Sequence, residues 1–227
     1  MITARMVRKG SSGDSRAPVC GWALENAARR RGALCVAGLD EVGRGPMFGP
    51  VVAAAVIFPE RRRLPGLTDS KQLTEKQRNE FDAMIRAEAA AWAIAAVDVE
   101  TIDRINIRRA SLLAMRMAVE QLSMGTGALL PDYLLIDGRD TIEWPCAQQA
   151  VIGGDGRSVS IAAASVLAKV YRDRLLVELD AVYPGYGLAR HKGYCSPEHM
   201  EALRRLGPTP LHRKSYQPVA QLMLAFD

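Results

Sequence analysis

The sequence predicts an α/β fold: a central mixed five-stranded sheet flanked by helices, with a helical C-terminal extension. Three observations predict it. Brief apolar runs recur along the chain and stop at Gly or Asp, as strands covered on both faces do. Stretches with helical spacing of apolar residues lie between them. The first two apolar runs are joined by a short Gly-rich turn, which suits an antiparallel hairpin within the sheet.

Taken in order, residues 1 to about 17 are polar and rich in Gly and Ser, and predict a disordered tail. Residues 18–227 read as one domain, with no internal repeat and no dividing linker. "GWALENAARRRG" predicts a short helix ending at Gly32. "ALCVAGLDEV" and "GPVVAAAVIF" predict the first two strands. "LTEKQRNEFDAMIRAEAA" opens with Thr74 and, three residues on, Gln77, the pattern of a capping box. "AAWAIAAVDV" is a third strand candidate, alanine-rich enough to suit a helix as well. "TIDRINIRRASLLAMRMAVEQL" predicts one long amphipathic helix. "DYLLID" and "QQAVIGG" predict the fourth and fifth strands. "SVSIAAASVLAKVYRDRLLVELDAVY" predicts a helix whose first half is buried. "SPEHMEALRRLG" predicts a capped helix, with Ser196 at its start and Gly207 past its end.

The 227 residues suffice for one well-packed domain, and 48% hydrophobic residues exclude a disordered chain. A net charge of +5 suits an anionic partner such as nucleic acid, and equally a soluble protein with spare cations. Cys20, Cys35, Cys146 and Cys195 are scattered, with no C-x-x-C pair, so neither a zinc site nor a disulfide framework is expected. Reduced thiols place the chain in the cytoplasm. No run is long enough to span a bilayer, and the basic start lacks the apolar core of a secretory signal.

The chemistry concentrates where apolar runs end in acids. "VAGLDEV" drives into Asp40 and Glu41, "YLLIDG" into Asp137, and "AVIGGD" into Asp155. Adjacent strand residues point to opposite faces, so Asp40 and Glu41 share a site only if the strand end twists or an ion draws them together. Buried carboxylates need compensation, and Mg2+ or Mn2+ prefers oxygen ligands. Four convergent carboxylates suit two metal ions spaced for in-line phosphoryl displacement. The plainer alternative, acids as turn residues, stands about level for Asp155 and is weaker for the Asp40–Glu41 pair. The turn that follows, Gly43-Arg44-Gly45, is either a tight hairpin or an approach for ligand. Its backbone groups could bond a sugar hydroxyl, and Arg44 a phosphate.

"AGLDEVGRGPMFGPVVAAAVI", "LTDSKQLT", "LLIDG", "GGDGRSVSIAAASVLAKVYRDR", "YPGYGLARHKGY" and "LHRKSY" together resemble bacterial ribonuclease HII, the type 2 ribonuclease H family, across roughly residues 34–218. The resemblance implies an RNase H-like fold. It implies an endonuclease acting on RNA in RNA/DNA hybrids and on the 5′ side of single ribonucleotides in duplex DNA, leaving 3′-hydroxyl and 5′-phosphate ends. The implied site has Asp40, Glu41, Asp137 and Asp155 as ligands of two Mg2+ or Mn2+ ions, with Asp40 bridging. It implies that Gly43, Arg44 and Gly45 read the ribose 2′-hydroxyl and that Tyr194 packs on the following sugar.

The resemblance further implies substrate contacts at Ser70, Lys71, Ser165, Lys169, His191 and Lys192. For Ser165 and Lys169 a buried helix with an extended lysine is the alternative; for His191 and Lys192, a solvated loop. Arg172, Asp173 and Arg174 suit an ion-pair network. Met47, Phe48, Arg157, Cys195 and Ser196 depart from the commoner family residues, and Phe48 is expected to reshape the wall near the recognition turn. Gln221, Leu222, Leu224 and Phe226 of "QLMLAFD" resemble peptides that dock on bacterial sliding clamps; a final helix packed on the domain is the alternative. No general-base histidine and no oligomer are expected. Two rivals remain: a different metal-dependent nuclease of the same fold class, and a non-catalytic nucleic-acid-binding module.

Overall fold

The computed structural model describes residues 20–60, 62, 64–124 and 129–224; the predicted tail lies outside them. Five strands form one sheet: β1 (Val36–Val42), β2 (Val51–Ile57), β3 (Ala91–Val97), β4 (Tyr133–Asp137) and β5 (Ala147–Val151). Their spatial order is β3-β2-β1-β4-β5. β1 pairs antiparallel with β2, and β2 with β3, whereas β1–β4 and β4–β5 are parallel. The sheet is mixed, as expected, and the alanine-rich run at β3 is a strand.

The helices are α1 (Ala23–Arg30), α2 (Glu75–Glu88), α3 (Val99–Ile105), α4 (Ile107–Met124), α5 (Val159–Val182), α6 (Leu188–His191), α7 (Pro197–Leu206) and α8 (Gln217–Met223). The capping box of α2 forms as predicted, with Thr74 and Gln77 bonding reciprocally. Ser158 and Ser196 cap α5 and α7. The single helix expected after β3 is instead two. Asn106 adopts φ 68° and ψ 161°, which no helix can propagate, and its side chain accepts from the Arg109 N–H at 3.1 Å. An asparagine inside a strong apolar period carries too little signal to predict that break.

Alternation along the strands sorts the core into two layers. Val51, Ala53, Ala55 and Ile57 of β2 pack with α4, while Val52, Ala54 and Val56 pack with α5. Small side chains bring α5 close to the sheet, and at β1 the approach leaves no room for a side chain. A Cβ on Gly38 would lie 2.2 Å from the Ser160 carbonyl carbon and 2.4 Å from the Ile161 nitrogen. The functional consequence is positional: α5 lies directly against the strand that carries Asp40 and Glu41.

The four cysteines are free, as expected. Among the described residues no helix is long and apolar enough to cross a membrane.

Candidate active site

Strand register brings the first two acids together. Leu39 of β1 pairs with Ile136 of β4, and the next residue on each strand is Asp40 and Asp137. Both strands run the same way, so both acids emerge at one end of the sheet. Asp155 arrives differently from the sequence expectation. β5 ends at Val151, and Asp155 sits four residues later, in a 3-10 turn (Gly154–Gly156) that leads into α5. The chain crosses from the strand end to the helix start there, and the Gly154 N–H donates to Asp137 Oδ1 at 2.7 Å. One turn therefore carries the fourth acid and fixes the third.

The four carboxylates lie within electrostatic reach of one another. Burial first, then Glu41 and Asp137, push the Asp40 carboxyl well above its usual range; Asp155 adds to this and a bond from Ser165 opposes it. Burial raises Glu41 too, against the opposing bond and charge of Arg44. Burial and the Asp137 charge likewise raise Asp155.

Each acid is meanwhile held by a partner of its own. Asp40 Oδ1 accepts from the Glu41 N–H at 2.7 Å. Glu41 pairs with Arg44 at 3.0 Å and Asp155 with Lys71 at 3.4 Å. Among the described residues no three acidic, thiol or imidazole groups already close into a metal cage. The donor set nevertheless fits a hard divalent cation. It is all oxygen, and its members repel one another in a buried setting where the Lys71 ammonium is drawn toward Asp155.

The predicted substrate residues divide. Gly45 and Tyr194, far apart in sequence, meet: a Cβ on Gly45 would lie 3.4 Å from Tyr194 Cε1, and Tyr194 is 48% exposed. Arg44 is exposed at the same turn. Lys71 bridges Asp69 and Asp155 at 3.5 and 3.4 Å. Ser70 and Ser165 are buried and bond to each other at 2.8 Å. Lys169 pairs with Asp173 at 2.8 Å. The His191 ring is spent inside its loop, with Nε2 on the Tyr186 carbonyl at 2.7 Å and Nδ1 accepting from the Gly193 N–H at 3.2 Å. Lys192 lines a groove of about 380 Å³ with Arg78, Asn79 and Arg174.

Three expectations need correction. Arg172 forms no ion-pair network with Asp173 and Arg174. Its guanidinium is buried and donates to the carbonyls of Phe48, Pro50 and Lys192 at 2.9, 3.2 and 3.0 Å. Phe48 does not wall the recognition turn; it is fully buried among Tyr183, His199 and His212. The carbonyls of the Gly-Arg-Gly turn are not all open to a ligand. Arg213 donates to Gly43 O at 2.6 Å and Arg44 O at 3.1 Å, and the Tyr216 hydroxyl also donates to Arg44 O.

Arg172 and Arg213 thus brace the recognition turn and the Tyr194 loop from below. Gly43 is obligatory in this brace: φ is 91°, and a Cβ would lie 2.3 Å from Arg172 Nε. Burial, with Arg213 nearby, lowers Arg172 to about 10. Sequence reasoning missed Arg213, Tyr216, His199 and Asp69. Asp69 and Arg213 both lie in stretches that carry the resemblance, but nothing local marks either as a buried partner.

The three histidines also meet. His191 stacks on His199 at 4.3 Å, and His199 Nε2 lies 3.2 Å from His212 Nε2. His199 Nδ1 lies 2.9 Å from the Tyr194 carbonyl, and His212 Nδ1 accepts from the Thr209 N–H at 2.9 Å. One tautomer pair satisfies every contact: His199 donates from Nδ1 and His212 from Nε2, both neutral.

The Ribonuclease HII family model matches residues 37–219. The chain belongs to the ribonuclease HII family. It is 51% identical over 200 residues to a Ribonuclease HII of Geobacter sulfurreducens, covering 88% of this chain and 90% of that one. It is 52% identical over 200 residues to a Ribonuclease HII of Solibacter usitatus, covering 88% and 85%. The ribonuclease H2 of Pyrococcus horikoshii OT3 shares the fold, with a TM-score of 0.72 at 24% identity over 85% of this chain and 99% of that one. RNase HII from Archaeoglobus fulgidus, solved as a PCNA:RNase HII complex, gives 0.68 at 25% identity over 81% and 96%. The chain is accordingly a ribonuclease H, a hydrolytic endonuclease with the RNase H-like fold, and divalent-metal dependence is general to its family.

Two outcomes follow from the site's charges. Asp40→Asn removes a buried charge whose ionisation is disfavoured, so at pH 7 the metal-free variant should melt above wild type. Because the Asp40 carboxyl is raised in the fold, protonation favours the native state, and the gap should narrow as pH falls. An Asp40→Asn variant no more stable than wild type at pH 7 would contradict it.

The histidines act in the opposite sense. Burial lowers His199 to about 4 and His212 to about 3. Their neutral forms stabilise the fold above the ordinary value of 6.5, and that stability is lost as pH falls from there toward 4. Denaturant titrations from pH 7 to 4.5 should show this slope, and His199→Phe should flatten it.

Proposed function

We propose that this ribonuclease HII cleaves 5′ of single ribonucleotides embedded in duplex DNA, as well as the RNA strand of RNA/DNA hybrids, leaving 3′-hydroxyl and 5′-phosphate ends. The observation that carries the reading is the meeting of the Gly43-Arg44-Gly45 turn with Tyr194 beside the four carboxylates. A backbone turn free of side chains can approach a ribose closely, and an exposed aromatic ring can pack on the next sugar.

Asp40, Glu41, Asp137 and Asp155 would hold two Mg2+ or Mn2+ ions, which when bound activate water and stabilise the leaving oxygen in phosphodiester hydrolysis. The chain's own residues prepare that site. Gly154 N–H orients Asp137, and the Ser165 hydroxyl, bonded to Ser70, favours the ionised form of Asp40. Arg44 and Lys71 hold Glu41 and Asp155 until a stronger cation competes for them. Once displaced, both side chains are free to contact phosphates flanking the cleaved bond. Arg213 and Tyr216 occupy the carbonyls of Gly43 and Arg44, so the turn presents its N–H groups to a hydroxyl acceptor.

The test is a labelled duplex with one embedded ribonucleotide, incubated with and without Mg2+ or Mn2+. Wild type should cut 5′ of the ribonucleotide only with metal; Asp40→Asn should lose at least about a thousandfold of that rate while still binding the duplex. Tyr194→Ala should slow junction cleavage more than cleavage of an all-RNA hybrid strand. Metal-independent cleavage, or junction and hybrid rates falling together, would contradict the reading.

A second element of the reading is docking to a sliding clamp through the C-terminal segment. Leu222 packs against the domain within α8, whereas Leu224 just beyond it is 77% exposed; Phe226 lies outside the described residues. The relative solved with PCNA supports such docking. A pull-down with the bacterial clamp should retain the full chain and lose one ending at Met223; equal retention would count against it.

A further inference from the structure

We infer that the corner between α3 and α4, together with the loop after α7, forms a second nucleic-acid contact surface, which grips the sugar-phosphate backbone of the duplex beyond the cleaved position. The inference rests on the proposed action on duplex substrates and adds a surface to it.

The break at Asn106 builds the corner. α3 ends and α4 begins around one residue, so Arg104, Arg108 and Arg109 all emerge at the same exposed bend. Asp103 then ties the bend to the C-terminal loop. Its carboxylate accepts from the Lys214 N–H at 2.9 Å and the Ser215 N–H at 3.0 Å, and from the Ser215 hydroxyl at 2.5 Å. Lys214, exposed, is thereby fixed beside the corner. Its neighbour Arg213 holds the Gly43 and Arg44 carbonyls, which makes this surface continuous with the recognition turn.

The other side of the corner meets the segment that follows β4 and Asp137. Arg108 forms a bidentate pair with Asp140, at 3.0 and 2.6 Å. Arg108 first, with smaller contributions from the charges of Arg44 and Arg139, holds the Asp140 carboxyl below its usual range. The exposed cations Lys214, Arg104, Arg109 and Arg139 thus lie on the corner and on the two segments tied to it, one of which follows Asp137 directly.

Some exposed cations have carboxylate partners, such as Lys76 with Glu80 and Arg190 with Glu198, whereas others, such as Arg157, Arg204 and Arg205, have none among the described residues. The corner differs in that its cations gather at one bend tied by hydrogen bonds to the C-terminal loop and to the segment after β4. Here Asp103 is consumed by backbone N–H groups and Asp140 by Arg108. Arg104, Arg109, Arg139 and Lys214 form no ion pair among the described residues. Cations anchored on a rigid bend, at the rim of a phosphodiester-cleaving site, match a polyanion whose charges repeat along a stiff axis. Guanidinium–phosphate contacts fix position without reading sequence, which is what an enzyme directed to a sugar rather than to a base requires.

The experiment compares wild type with Arg104→Glu/Arg109→Glu and with Lys214→Glu, after circular dichroism confirms unchanged melting. Fluorescence anisotropy, with EDTA to prevent cleavage, measures binding to ribonucleotide-containing duplexes of about 10 and about 30 base pairs across a salt series. For the longer duplex, the double variant should bind at least about tenfold more weakly. Its plot of log affinity against log salt should be shallower by about 0.9 for each phosphate that the variant no longer neutralises. Metal-dependent cleavage of the short duplex at saturation should stay within about twofold of wild type.

Unchanged affinity and slope on the long duplex overturn the inference. Equal weakening on both lengths also overturns it, because the cations would then belong to the reaction site. Failure of wild type to cleave either duplex sinks the proposed function instead, and a salt-dependent binding defect in the variants would still uphold this surface.

Discussion

Contact between the backbone of Gly38 and the first turn of α5 sets the geometry of everything around the active site. With no side chain on the strand, helix and sheet touch main chain to main chain. Ser165, on the second turn of that helix, consequently acts on Asp40 and favours its ionised form. The short turn that feeds the helix is near enough to carry Asp155 beside Asp137. A single methyl at residue 38 would force the layers apart, and the acids would lose their common focus.

That focus is electrostatically unfavourable by itself, and the structure handles it locally. Four carboxylates share a partly buried rim, and three of them are pushed toward protonation by burial and by one another. Each is held by a nearby donor or cation, two of which, Arg44 and Lys71, are exposed and can leave. The opposite problem is solved below the recognition turn. Arg172 and Arg213 are buried without a carboxylate partner among the described residues, and each satisfies its guanidinium on backbone carbonyls. Cation and backbone turn thus define each other: the arginines need the carbonyls, and the turn needs the arginines to keep its shape.

The same arginines link parts of the chain that have no local reason to associate. Arg172 on α5 reaches both the segment after the Gly-Arg-Gly turn and the Lys192 carbonyl next to the Tyr194 loop. Arg213 reaches back to Gly43 and Arg44 from the far end of the chain. The histidine cluster adds a third tie through the Tyr194 carbonyl. The shape of the Gly-Arg-Gly turn and of the Tyr194 loop therefore depends on a brace of neutral imidazoles and buried guanidiniums.

Several features are legible in the residues themselves because their signals are local. Alternation and short apolar runs mark the five strands, Thr74 with Gln77 marks the start of α2, and acids after apolar runs mark Asp40, Glu41 and Asp137. The family resemblance adds the expectation that Gly43, Gly45 and Tyr194 belong to one site, and the structure brings Gly45 and Tyr194 together. Other features belong to the fold alone. A break at Asn106 depends on one residue's backbone angles, which the apolar period around it conceals. Asp155 reads as a strand end because a Gly-Gly-Asp run looks alike whether it terminates a strand or turns into a helix. Arg172 and Phe48 depart from expectation because a side chain's partners are set by whatever chain packs over it, and here that chain comes from more than a hundred residues away. Sequence by itself determined which elements form and which chemistry they carry, since propensity and patterning act between near neighbours. Tertiary structure decided which charges are braced, which are buried and which face outward, because those outcomes arise only when distant segments compete for the same space.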